Sequence, residues 1–245
     1  YHQPVSRYNE TPDMGKYFEA IAEFEKRLET AQSVRMVFSR TGYGRLVPHL
    51  DFIEILKRAF RMAGLPVSFS RGFNKREKIT TGYPVPLGFE SLSEVVEVDL
   101  FKHLNADELA KYHEKINLSL PSFVKLHSIR EVKHGKSLMA LVNAVEYSVL
   151  FSTGSLTQGM VGSLEKKPLL VKSGKTGTKT FPFDEAVHSW NSDGETGITI
   201  ILYTGNESSF RADEFFYSLS GMREKLAEDI RIVKKCQYTM AEGKL

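Results

Sequence analysis

The sequence predicts an α+β protein made of two tandem ferredoxin-like (βαββαβ) units behind an N-terminal lead-in helix. Three observations carry that reading. Between residues 33 and 133, strand-like apolar runs alternate with two well-punctuated helices in the order strand, helix, strand, strand, helix, strand. Residues 145–240 echo that stretch at an offset of a little over 100 residues. The length of 245 residues, 41% hydrophobic and 26% charged, suits two buried cores and excludes disorder, collagen and disulfide scaffolds.

The expected N-terminal arm and helix occupy residues 1–32. The arm is polar and carries Pro4 and Pro12, after which Tyr17, Phe18, Ile21, Phe24 and Leu28 recur at helical spacing. The first unit, 33–133, opens with the apolar run Val34 to Phe38, closed by Thr41-Gly42-Tyr43-Gly44. Pro48 suits a first helical turn and Gly64 with Pro66 supplies a stop, so 48–63 is a helix. At 100° per residue, Phe52, Ile53, Leu56, Ala59, Phe60 and Ala63 share one face, while Glu54, Lys57, Arg58 and Arg61 lie opposite. Strands at 66–70, 78–86 and 93–101, a helix at 105–118 and a strand at 123–132 complete the unit.

In the second unit, 145–240, Pro168-Leu169-Leu170-Val171-Lys172-Ser173-Gly174 echoes Pro66-Val67-Ser68-Phe69-Ser70-Arg71-Gly72. Arg211-Ala212-Asp213-Glu214-Phe215 echoes Asn105-Ala106-Asp107-Glu108-Leu109, each opening a helix with acids in its first turn. Tyr147 to Phe151, Ile198 to Tyr203 and Ile230 to Cys236 supply strands, and Lys133-His134-Gly135-Lys136 is the join.

The formal charge of +3 hides a strong asymmetry. From Val34 to Val85 ten basic residues meet three acids, a surplus of +7 in 52 residues, and the other 193 carry −4. Such a concentration suits a polyanion, because each phosphate contact releases counterions. The loop Ser70-Arg71-Gly72-Phe73-Asn74-Lys75-Arg76 adds a glycine for close approach, an aromatic able to stack on a base, and amide and guanidinium donors. Arg45, Arg58, Arg61, Arg71, Phe73, Asn74, Lys75, Arg76 and Lys78 form the expected nucleic-acid-binding set. The competing reading is a solvated basic face with Phe73 folded beneath its own hairpin. A second basic hairpin, Lys166-Lys167 through Lys172, Lys175 and Lys179, holds the equivalent place in the second unit.

Catalytic signals are sparse. His49, followed by Asp51, opens the 48–63 helix and suits a general acid or base; its angular position equally suits a core histidine, and Asp51 a first-turn carboxylate favoured by the helix dipole. Gly174-Lys175-Thr176 lacks the glycine of a phosphate loop five positions earlier, where Leu169 stands. The scattered histidines offer no paired metal spacing, so no metal site is expected. The lone Cys236 excludes an intramolecular disulfide and a three-cysteine iron–sulfur cradle, and a reducing cytoplasm is the expected home. No apolar window approaches the ~18 residues of a membrane span, so no membrane association is expected.

Several segments read together: Pro48-His49-Leu50-Asp51, Arg58-Ala59-Phe60-Arg61-Met62-Ala63-Gly64-Leu65-Pro66, Ser70-Arg71-Gly72-Phe73-Asn74, Pro84-Val85-Pro86-Leu87-Gly88 and Ser137-Leu138-Met139-Ala140-Leu141. In order and spacing they resemble the bacterial radical SAM-linked family, a domain of unknown function, over about residues 33–240. Where that family continues Gly-Phe-Asn with Pro-Arg-Pro, this chain has Lys75-Arg76-Glu77, keeping the arginine and losing the stiffening prolines. The resemblance implies a radical SAM protein as partner, in cis or in trans, which carries the iron–sulfur cluster, SAM and cobalamin while this chain binds none of them. It also implies a genomic setting near ribosomal-protein and ribonuclease genes.

The leading expectation is therefore an accessory module that binds tRNA or rRNA and presents it to a radical SAM enzyme, without a self-contained catalytic motif of its own. The alternatives are a His49-dependent RNA-processing enzyme, which needs His49 open to solvent beside the basic loop, and a protein–protein module docking the radical SAM subunit.

Overall fold

The computed structural model describes residues 14–133, 135, 137–174, 177–205, 207–220, 230–239 and 243–244. An exposed helix, α1 (Met14–Lys26), leads into β1 (Gln32–Arg40), which is buried along nearly all its length. Val34, Met36 and Phe38 alternate onto one side of β1, and α2 (His49–Ala63) lays Phe52, Leu56 and Phe60 over them. Each such fully buried side chain contributes about 1.5–3 kcal/mol. The helix stops at Gly64, whose φ of 71 a residue with a Cβ adopts only under strain. The Leu65 N–H then reaches back to the Phe60 carbonyl at 2.9 Å, and Leu65 re-enters the core.

The first half continues through β2 (Ile79–Thr81), β3 (Glu90–Leu100), α3 (Ala106–Ser119) and β4 (Val124–Val132). Asn105 and Glu108 cap α3 reciprocally, the side chain of each accepting the other's backbone N–H at 2.9 Å. Sheet order is β4-β1-β3 with β2 on β3, every neighbour antiparallel. This is the strand order of a ferredoxin-like unit.

After the short α4 (Leu138–Leu141) the second half runs β5 (Ala144–Phe151), α5 (Gly154–Glu165), a hairpin of β6 (Leu170–Gly174) and β7 (Gly177–Phe181), α6 (Phe183–Ala186), β8 (Val187–Ser192), β9 (Gly197–Tyr203), α7 (Ala212–Ser220) and β10 (Ile230–Thr239), with β11 (Gly243–Lys244) paired to β10. With the inserted hairpin and α6 set aside, the order β10-β5-β9-β8 repeats that of the first half. Each half has its own apolar core. The two sheets are nevertheless continuous: β10 runs parallel to β3, with Val233 beside Glu90 and Lys234 beside Ser91. From the first half, Tyr83 and Phe89 lean across onto the second core.

Four local expectations change. Residues 66–70 make only single bridges, Val67 to Leu100 and Phe69 to Glu77, because 68–78 closes on itself as a narrow hairpin with Ser70 N–H to Arg76 C=O at 2.8 Å. The strand expected over 78–86 shrinks to three residues: Pro84 and Pro86 have no N–H to offer a ladder. Strand β3 starts at Glu90 rather than 93. The polar edge strand β8 and the return strand β7 carry too little apolar alternation to be read from sequence. Within the expected join, His134 and Lys136 lie outside the described residues, as does the arm 1–13.

Candidate nucleic-acid interface and the charged junction

The hairpin between α2 and β2 carries the basic loop at its tip. Phe73 is fully exposed and packs under nothing, which removes the reading that folded it beneath the hairpin. Arg71, Gly72, Asn74, Lys75 and Arg76 around it are exposed as well. The tip is held by the Arg76 N–H on Ser70 Oγ at 3.0 Å. Below it, a groove of about 330 Å³ runs between the hairpin stem and the C-terminal half of α2, lined in part by Arg27, Lys57 and Arg61.

Not all of the charge is free. Arg61 pairs with Glu77 at 2.9 Å, Lys57 with Glu54 at 2.7 Å, Lys78 donates to Thr30 Oγ1 at 2.8 Å, and Lys75 lies 5.0 Å from the Phe24 ring centroid. Arg35 and Arg40, counted in the +7 stretch, are interior. Arg58, Arg71 and Arg76 make no ion pair among the described residues. In the second unit Lys167 pairs with Asp184 at 2.8 Å, Lys179 pairs with Glu207 at 3.2 Å, and Lys172 donates to the Ser209 carbonyl at 2.5 Å. Lys175 lies outside the described residues.

His49 and Asp51 sit at the opposite end of α2, about 18 Å and about 15 Å along the axis from Arg61. At that end His49 is half-buried and Asp51 exposed. Arg45, exposed in the 3-10 turn Gly42–Leu46, belongs with this other end and not with the hairpin.

What His49 does face is a buried charge cluster at the junction of the two sheets. Lys234, on β10, donates to the Tyr83 carbonyl at 2.7 Å and pairs with Glu94 of β3 at 2.7 Å. Arg40, at the end of β1, donates to the Val47 carbonyl at 2.8 Å and lies over the Phe52 ring. Beside them Arg231 pairs with Glu90 at 2.5 Å, and Glu90 also accepts the Gly42 N–H at 2.8 Å. Burial lowers the pKa of Lys234 against the pull of Glu94, and burial likewise lowers that of Arg40. The Tyr147 phenol, fully enclosed, is pushed well above its ordinary value by burial.

Burial also lowers the pKa of His49, reinforced by Arg40 and Lys234 and opposed by Glu94. Its ring is expected to titrate below the ~6.5 of a free histidine. The sign follows: the unfolded chain takes up a proton that the folded chain refuses, so this contribution to stability is full above ~6.5 and falls as pH drops through the lowered value. An NMR titration of the ring checks this, and a midpoint at or above ~6.5 refutes it.

Arg40, Glu94, Lys234 and Tyr147 are absent from the sequence-derived set. Period-two alternation holds the signal: Arg40 continues the Val34, Met36, Phe38 face and Glu94 the Val96, Val98, Leu100 face, so each is a charge on a core face. Among the described residues no group of three or more His, Cys, Asp or Glu is placed to hold a metal ion, and no helix is long and apolar enough to cross a membrane.

By fold and surface this is an α+β protein of two merged sheet units with a charged junction and an exposed basic hairpin. It belongs to the family DUF2344, described as an uncharacterized protein conserved in bacteria, whose model matches residues 33–212. Among curated proteins there is no match. Among solved structures, the chain is similar to the crystal structure of an unknown protein from Galdieria sulphuraria at 13% identity, over 84% of this chain and 99% of that one, with a TM-score of 0.26.

Proposed function

We propose that this chain is an accessory RNA-binding module of the cytoplasm that presents tRNA or rRNA to a radical SAM enzyme, in cis or in trans. The enzyme carries the iron–sulfur cluster, SAM and cobalamin; this chain supplies the RNA contact. One observation carries the reading: a fully exposed Phe73 at a hairpin tip flanked by Arg71, Lys75 and Arg76. An exposed phenylalanine has no packing role, whereas an aromatic face between cations is what an unpaired base stacks on. Asn74 adds a donor at the tip, and Arg58 and Arg61 of α2 with Lys78 of the stem extend the phosphate track, with Arg61 leaving Glu77 for a phosphate.

Filter binding of tRNA and rRNA fragments across a salt series tests this. Affinity is expected to fall steeply with salt, Arg71→Glu with Arg76→Glu to weaken it at least tenfold, and Phe73→Ala to weaken it by about tenfold with little change in the salt slope. No affinity at low salt, or affinity indifferent to the double charge reversal, overturns the proposal. In that case a nuclease-resistant pull-down of the radical SAM subunit would assign the basic face to protein docking.

A further inference from the structure

One row of side chains crosses the junction on the helix-facing side of the sheet. The pairing register sets Arg40 of β1 beside Ser91 of β3, Ser91 beside Lys234 of β10, and Lys234 beside Tyr147 of β5. All are buried, Arg40 to 1% exposure and Lys234 to 0%. Glu94 faces the row and is taken by Lys234. Two cations against one carboxylate leave a surplus positive charge out of water, which is costly unless something negative joins it. Two groups in the row also lack any hydrogen-bond partner, Arg40 Nε and the Tyr147 hydroxyl, while Glu94 Oε1 has only its ion pair with Lys234. Buried polar groups are normally satisfied, so an orphaned guanidinium N–H at a positively charged site marks a missing acceptor.

The surroundings favour the same occupant. The Arg40 guanidinium lies against the first turn of α2, its carbon 5.4 Å from the Phe52 ring centroid. That 15-residue helix begins at Pro48 with no side-chain cap, so its first N–H groups and dipole present positive character beside Arg40. His49, half-buried, is the first residue of that helix. Around it Tyr43, Leu46, Leu50 and Leu87 are exposed, an apolar rim on loops pinned together by the Gly88 N–H on the Arg45 carbonyl at 2.8 Å.

We propose that the N-terminal mouth of α2 binds a small anion, a phosphate or carboxylate group carried on an apolar or aromatic body. Arg40 Nε, His49 and the first-turn N–H groups of α2 take the anion, and Tyr43, Leu46 and Leu50 take the body. Two acids lie close: Glu94, held by Lys234, and Asp51, exposed on the outer side of the same turn. The site stands apart from the RNA reading, at the far end of α2 from the basic hairpin. Because Arg40 Nε is covered in the free chain, binding includes a local rearrangement at the start of α2, and the NMR signals of the His49 ring, which senses the Arg40 charge, report occupancy.

The test titrates the full chain with phenyl phosphate, inorganic phosphate and benzoate at constant ionic strength, following the His49 ring and thermal unfolding. Expected are a saturable movement of the His49 signals and a rise in Tm of at least about 2 °C at saturation. Phenyl phosphate should bind at least tenfold tighter than inorganic phosphate, and its rank against benzoate identifies the anion. Arg40→Gln should weaken binding at least tenfold. If that variant does not fold, Leu50→Ser, an exposed change, decides: it should remove the advantage of phenyl phosphate and leave inorganic phosphate unaffected. Arg71→Glu with Arg76→Glu should leave the titration unchanged, so failure of the RNA reading and failure of this one are told apart. No saturable response to any of the three probes, or an equal response in folded Arg40→Gln, or an unchanged preference in Leu50→Ser, overturns the proposal.

Discussion

Glu94→Gln is expected to destabilise the fold by about 3–5 kcal/mol, because it removes the one carboxylate facing two buried cations. The size comes from what remains. Arg40 and Lys234 would keep their positive charges out of water with no counter-charge, and a neutral amide answers neither. Lys234→Met makes the opposite change: Arg40 and Glu94 then balance, and the main loss is the hydrogen bond to the Tyr83 carbonyl. It should therefore cost at least ~2 kcal/mol less than Glu94→Gln, although both remove the same 2.7 Å pair. The pH dependence is signed as well. Burial already lowers the pKa of Lys234, and losing Glu94 lowers it further. The unfolded chain then binds a proton that the folded chain sheds, so the Glu94→Gln deficit should shrink as pH rises from 6 toward 9. Denaturant titrations at the two pH values decide it, and equal costs for the two variants would show that net charge at the junction is not what matters.

The halves of this molecule differ in how far the sequence exposes them. Helix 48–63 is legible because its punctuation is local: Pro48 at the start, Gly64 in a left-handed conformation at the end, and apolar residues at helical spacing between. The capping box of Asn105 and Glu108 is local in the same way. Strand β8, by contrast, exists because β9 offers it an edge; Val187-His188-Ser189-Trp190-Asn191-Ser192 alone has no clean alternation. For the candidate sites the division is similar. The exposed basic tip is a matter of nearby residues, and its composition reads directly from 70–76. The junction joins Arg40, Glu94 and Lys234 from three strands, and only the parallel pairing of β10 with β3 assembles them. That pairing links residues about 140 positions apart, across what the repeat suggests are separate units. Period-two patterning reveals that Arg40 and Glu94 are charges on core faces; it cannot reveal that Lys234 faces both.

Gln237→Leu is expected to destabilise by about 2–4 kcal/mol and to release the 82–89 loop from the second half. Gln237 is fully buried, its Oε1 accepting the Tyr83 N–H at 2.8 Å and its Nε2 donating to the Ser93 carbonyl at 2.7 Å. Leucine matches the volume closely, so the loss reports two orphaned backbone groups, each worth about 1–3 kcal/mol, and little cavity. The fit also explains Gly82: a Cβ there would stand 2.4 Å from the Gln237 amide oxygen. Because the same Tyr83 that donates to Gln237 accepts from Lys234, the two contacts share one element. Gln237→Leu and Glu94→Gln should therefore be non-additive by more than ~0.5 kcal/mol. Hydrogen exchange at the Tyr83 amide should quicken in Gln237→Leu before global unfolding does. A cost below ~0.5 kcal/mol with unchanged Tyr83 protection would mean that the apolar contacts of Tyr83 and Phe89 on the second core, and not this amide, hold the halves together.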